Sequence, residues 1–161
     1  MRKLKVILGL SVILFMGWNF YTASHTTMVS GVSMSPTYQD EQIISISSDV
    51  SHIKKNDVVI IRRGKNNYIK RVIATPGDVI DIKGDKIYLN GSYSEEMGGI
   101  SDNVTDMQEY PLKLHDKQYF VMGDNRIDSW DSRSKSFGIV KENEIIAIAE
   151  HRDKKVENPQ E

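Results

Sequence analysis

Near its start the chain runs VILGLSVILFMGWNFY from Val6 to Tyr21, without one charged residue, and no other feature limits its fold as much. Counted from Leu4, this is a run of about 18 residues, roughly 27 Å as a helix, against the ~30 Å of a bilayer's hydrocarbon layer. Arg2, Lys3 and Lys5 flank its start, whereas the first acidic residue is Asp40. That asymmetry predicts a cytoplasmic N-terminus and places everything after Tyr21 outside. Trp18 and Tyr21 stand where interfacial aromatic anchors are expected. A cleaved signal peptide would share the basic start and apolar centre, with Thr22-Ala23-Ser24 as its small-residue cleavage site. A buried core helix would be apolar too, but one apolar on every side is unusual in so small a domain. Length and flanks favour a retained anchor. The expected organisation is therefore a cytoplasmic stub at 1–5, a single transmembrane helix at 6–21, an extracytoplasmic domain at 22–150 and a charged tail at 151–161.

Beyond the anchor the pattern changes to short β-branched runs. Ile43–Ser47 alternates, and 57–62, 68–74, 78–82, Lys86–Leu89, Gln118–Met122, 138–140 and Ile145–Ala149 follow, separated by polar clusters. Tight turns are expected at Gly84-Asp85 and Asn90-Gly91. Such a series argues for a mostly β domain, sandwich or barrel-like. Residues 92–116 are polar with little periodicity and read as a long surface excursion. The chain has 161 residues, no cysteine and a net charge of −1. Disulfides, thiolate chemistry and Cys-bound metal are excluded, and nothing in the charge suggests nucleic acid.

The stretch SGVSMSPT at 30–37 raises the question of a serine nucleophile, which needs a base to take its proton. The four histidines (His25, His52, His115 and His151) lie in polar turns or near the ends, and none sits beside a strand end with a glycine or carboxylate framing it. No His, Asp or Glu grouping has metal-ligand spacing, so neither metal nor cofactor is expected. A lysine can serve only when neutral, which requires burial among apolar neighbours. Lys70 fits, because Tyr68-Ile69-Lys70-Arg71-Val72-Ile73 reads as a strand with Tyr68, Lys70 and Val72 on one face. The alternative is a solvent-facing lysine on an edge strand. A third stretch, GDNRIDSWDSR at 123–133, follows the apolar run 119–122 and by itself reads as a polar turn.

Taken in order, Gly31-x-Ser33-Met34-x-Pro36-Thr37, Tyr68-Ile69-Lys70-Arg71 leading to Thr75-Pro76-Gly77-Asp78, and Gly123-Asp124-Asn125-Arg126-x-x-Ser129-x-Asp131-Ser132-Arg133 closely resemble the type I bacterial signal peptidases. Asn56-Asp57-Val58-Val59 and Tyr88-Leu89-Asn90-Gly91 extend the likeness over nearly the whole chain, which looks most like the compact Gram-positive-type members. The resemblance implies a serine endopeptidase anchored in the plasma membrane, its catalytic domain on the extracytoplasmic face, that cleaves signal peptides from secretory preproteins. It assigns Ser33 as nucleophile and Lys70 as general base. Ser129 would hydrogen-bond and orient the lysine ammonium, and Gly123 would pack close to that lysine. Arg71, Asp124, Asp131 and Arg133 would brace the site. Val29, Met34, Tyr68 and Ile69 are the candidate lining of a shallow substrate pocket for small residues. Some relatives carry a serine where this chain has Gly31, so one oxyanion donor is missing. Membrane lipid and signal peptides are the implied partners; oligomeric state is left open. Alternatives are a specialised Ser-Lys processing peptidase of the same superfamily and a catalytically silent anchored domain that binds exported peptides.

Overall fold

The structure, a computed structural model, describes residues 25–94 and 105–150. The expected stub, anchor and charged tail lie outside the described residues. Within them no helix is long and apolar enough to cross a membrane.

The described chain is mostly β. Its strands are β1 (Thr26–Met28), β2 (Ile43–Ser47), β3 (Val58–Arg63), β4 (Asn66–Ala74), β5 (Val79–Lys83), β6 (Lys86–Leu89), β7 (Ser92–Tyr93), β8 (Leu112–Lys113), β9 (Gln118–Met122), β10 (Val140–Lys141) and β11 (Ile145–Ala149). One antiparallel sheet has the order β1-β2-β11-β3-β4-β9-β10, and a smaller one the order β7-β6-β5-β8. The β6–β7 hairpin closes through Asn90-Gly91, with φ of 53° and 82°. Two positive φ values in succession are what a two-residue type I′ turn demands, and Asn-Gly is the pair that tolerates them.

Alternation in β3 and β4 sorts their side chains into two cores. Val59, Ile61 and Val72 pack with Tyr119, Val121 and Phe137, with Tyr68 against them. On the opposite face Val58 joins Val29, Met34 and Ile44, with Ile69 alongside. A third cluster, including Ile73, Ile80, Ile87 and Phe120, joins the two sheets. Lys70 pairs with Val59 and shares its face.

The expected excursion at 92–116 is a correction. Its ends are part of the small sheet: β7 pairs with β6, and β8 with β5. Leu114 is fully buried and Met107 bridges to Ser134. Two-residue strands are too short for a period of two to register, which hides them in a polar sequence.

Candidate active site

Ser33 lies in the loop between β1 and β2, and that loop is fixed at both ends. Gly31, with φ of 86°, donates its N–H to Asp40 Oδ1 at 2.7 Å. Val29 and Glu41 also exchange backbone contacts with this turn, Glu41 N–H donating to the Val29 carbonyl at 2.9 Å. Met34, 1 % exposed, anchors the loop in the core beside Val29 and Ile44.

Lys70 approaches from β4. β9 pairs with β4 only from Arg71 onward, so on that side the stretch from Asn66 to Lys70 has no ladder partner. Lys70 is nevertheless only 3 % exposed, and its Nζ lies 2.7 Å from Ser33 Oγ. That separation is within proton-transfer reach. Burial is the main influence on Lys70 and pushes its pKa down to about 8. Asp131, Asp124 and Asp128 pull it back up, while Arg133 pushes it further down. Near pH 8, then, about half the molecules hold a neutral amine beside the serine hydroxyl.

The 123–133 loop encloses the pair. Asn125 N–H donates to the Ser33 carbonyl at 3.0 Å. Asp124 accepts from Arg71 Nε at 2.7 Å and from Thr37 Oγ1 at 2.6 Å, tying the base strand, the nucleophile loop and this loop together. Arg71 also donates to the Asn56 carbonyl at 2.8 Å. Burial alone would raise the Asp124 pKa, but the hydrogen bonds from Arg71 and Thr37 outweigh it and hold the carboxyl below its usual range. Deeper in, Arg133 and Asp131 form an ion pair whose side chains are both fully buried, Nε to Oδ1 at 2.8 Å. Every side of that pair is used: Asp131 Oδ2 accepts Gly123 N–H at 2.9 Å, and Arg133 donates to the Arg126 carbonyl at 2.8 Å.

A Cβ on Gly123 would collide with the Ser129 side chain and the Ser33 carbonyl, so this glycine makes room for those groups. Ser129 Oγ is buried but has no hydrogen-bond partner; the expected bond with Lys70 is absent, and Lys70 Nζ donates to Ser33 instead. Of the four expected pocket residues, Val29, Met34 and Ile69 line a cavity together with Ser33. Tyr68 is not in that lining. Its ring packs edge-on against Trp130 and Phe137, because an even-numbered β4 residue faces away from Ile69. Ser30, Thr27, Met28, Ile60 and Asn67 complete the cavity. The last four come from β1, β3 and β4, and only the folded sheet reveals their proximity. Among the described residues no group of His, Asp or Glu is placed to hold a metal ion.

A buried lysine hydrogen-bonded to a loop serine thus stands beside a small cavity on a β scaffold. Comparison with known proteins gives the family. Residues 1–152 match the family model described as signal peptidase, peptidase S26, and the chain belongs to that family. It is 35% identical over 136 residues to a signal peptidase I of Bacillus amyloliquefaciens, covering 76% of this chain and 69% of that one. It is 34% identical over 136 residues to signal peptidase I T of Bacillus subtilis, with the same coverage of 76% and 69%. A solved signal peptidase I from Enterococcus faecalis is 28% identical, with a TM-score of 0.46, covering 60% of this chain and 96% of that one.

Proposed function

We propose that this chain is a membrane-anchored serine endopeptidase that removes signal peptides from exported preproteins, with Ser33 as nucleophile and Lys70 as general base. The observation that carries the proposal is the 2.7 Å contact between Ser33 Oγ and a lysine amine that burial holds near neutrality.

Neutral Lys70 takes the Ser33 hydroxyl proton as Oγ attacks the scissile carbonyl, giving a tetrahedral oxyanion. The resulting ammonium passes its proton to the leaving amine, and an acyl-enzyme remains. Lys70, neutral again, takes a proton from the hydrolytic water as that water attacks the acyl carbon, and returns a proton to Ser33 Oγ as the ester bond breaks. The Ser33 N–H is the donor proposed for the oxyanion. Gly31 N–H cannot join it, being committed to Asp40, and Gly31 has no hydroxyl to offer. Gly123 keeps space for Ser129, whose unpaired hydroxyl is available to a lysine ammonium during turnover. The ion pairs of Arg71 with Asp124 and of Arg133 with Asp131 fix the loops, and the charges of Asp131, Arg133 and Asp124 also bear on the Lys70 amine.

The free edge of β4 leads into the dyad, and an extended peptide can add to such an edge through main-chain hydrogen bonds. Its side chains before the cut would then enter the cavity lined by Val29, Met34 and Ile69, where small residues fit. The anchor at 6–21 ends about a dozen residues before Ser33, which keeps the site within ~43 Å of the membrane surface. Full-length protein in lipid, given an exported preprotein, should produce one mature N-terminus just after a small residue. Enlarging the first or third residue before the cut to Phe should abolish that product. Indifference to those residues would point to a different processing specificity.

A further inference from the structure

Lys70 sits on the part of β4 that β9 does not cover, yet water hardly reaches it. Something outside the sheet must keep it dry. The nucleophile loop accounts for the side at Ser33, and β3 presents only Val59 opposite. On the remaining side lies the 123–133 loop, whose charged members Asp124, Asp128, Asp131 and Arg133 all act on the lysine. Those groups are polar and cannot exclude water by themselves.

The same loop carries one large apolar side chain that packs back onto Lys70's own strand. Trp130, the residue after Ser129, meets Tyr68 edge-on, with ring centroids 5.7 Å apart. Tyr68 is two positions before Lys70 on the same face. Phe137 completes the triad, 5.2 Å from Trp130 and 5.6 Å from Tyr68. The indole is also pinned: Nε1–H donates to Ser136 Oγ at 3.1 Å. Ser136 N–H is in turn held by Asp106 at 2.9 Å. Trp130 is 49% exposed, so one part of the ring is packed and the rest faces solvent. A fixed ring with one side in and one side out is how a lid over a dry base would be built.

We propose that Trp130 is a positioning residue for the base: packed edge-on against Tyr68 and fastened to Ser136, it closes the outer side of the Lys70 site against water. This rests on Lys70 being the general base. It assigns a task to a residue that touches neither the nucleophile nor the cavity.

The test is the pH dependence of kcat/KM for preprotein cleavage by the full-length protein in lipid. Trp130→Ala should admit water to Lys70 and move the acid limb of the profile up by about one pH unit. Cleavage at pH 7 would then fall about tenfold, and most of that loss would disappear by pH 9.5. Trp130→Phe should keep the wild-type profile. Ser136→Ala, which frees the indole without removing the ring, should give a smaller shift in the same direction. A second readout needs folded protein but no turnover: titration of the lysine ε-carbons by NMR, with the Lys70 signal assigned by its loss in Lys70→Met. If Trp130→Ala does not fold, Ser136→Ala is judged in its place by the same two readouts. An equal loss of activity at all pH values, or an unmoved Lys70 titration, would overturn the lid. Cleavage persisting in Lys70→Ala would instead overturn the dyad itself, so the two failures are distinguishable.

Discussion

At the scale of single residues, the chemistry depends on one amine being both buried and close to a hydroxyl. Lys70 titrates near pH 8 in the folded protein, against 10.5 for a free side chain. The unfolded chain therefore binds more protons between those values, and stability rises with pH across that window. Below pH 8 the full penalty of keeping a charged amine buried is present, on the order of 3 kcal/mol. Lys70→Met should be more stable than the parent at pH 7 by up to about that amount, with the advantage fading as pH approaches 10.5. Urea unfolding at pH 7 and pH 10 measures the difference; an advantage that does not shrink would mean that folding leaves the Lys70 pKa unchanged. Activity should rise with pH as stability does. With a base near pKa 8, kcat/KM should rise about tenfold per unit below pH 8 and then level off.

At the scale of elements, the site is three pieces of chain held by two ion pairs. The Arg71–Asp124 pair joins β4 to the nucleophile loop through Thr37, and the Arg133–Asp131 pair fixes the 123–133 loop from inside. Asp131→Ala would leave a fully buried guanidinium without its carboxylate and Gly123 N–H without an acceptor. It should cost about 3–5 kcal/mol, read as a lower denaturation midpoint. Gly123→Ala forces a methyl into Ser129 and the Ser33 carbonyl, so it should cost about 1–3 kcal/mol and also displace the nucleophile. A Gly123→Ala protein with full activity and an unchanged midpoint would show that this approach is not tight. Much of β4 was legible in the sequence, since alternation alone put Tyr68, Lys70 and Val72 on one face. The cavity was not. Thr27, Ile60 and Asn67 meet only because β1, β3 and β4 converge, and no local pattern encodes that convergence. Nor does a sequence say which partner a buried serine takes: Ser129 has none, because the lysine's short contact is with Ser33.

At the scale of the whole molecule, a mostly β catalytic domain is proposed to hang from a single N-terminal span. Fusing a reporter before Arg2 and another after Glu161 should place the first in the cytoplasm and the second outside. Deleting 6–21 should release the protein from the membrane fraction while the β domain still folds; retention on membranes would mean another attachment. The short strands β7 and β8 show why an assembled sheet exceeds what periodicity reveals, because two-residue segments gain their structure only from neighbours. Family motifs, by contrast, were readable in order along the chain, since side-chain chemistry at a site depends on residue type and spacing. The central claim concerns one oxygen atom. Ser33→Ala in the full-length, lipid-embedded protein removes that atom and leaves the Lys70 strand and the Arg71–Asp124 brace in place. With the fold verified by an unchanged denaturation midpoint, preprotein cleavage should drop to the uncatalysed background. Cleavage at the parent rate would contradict the assignment of Ser33 as nucleophile.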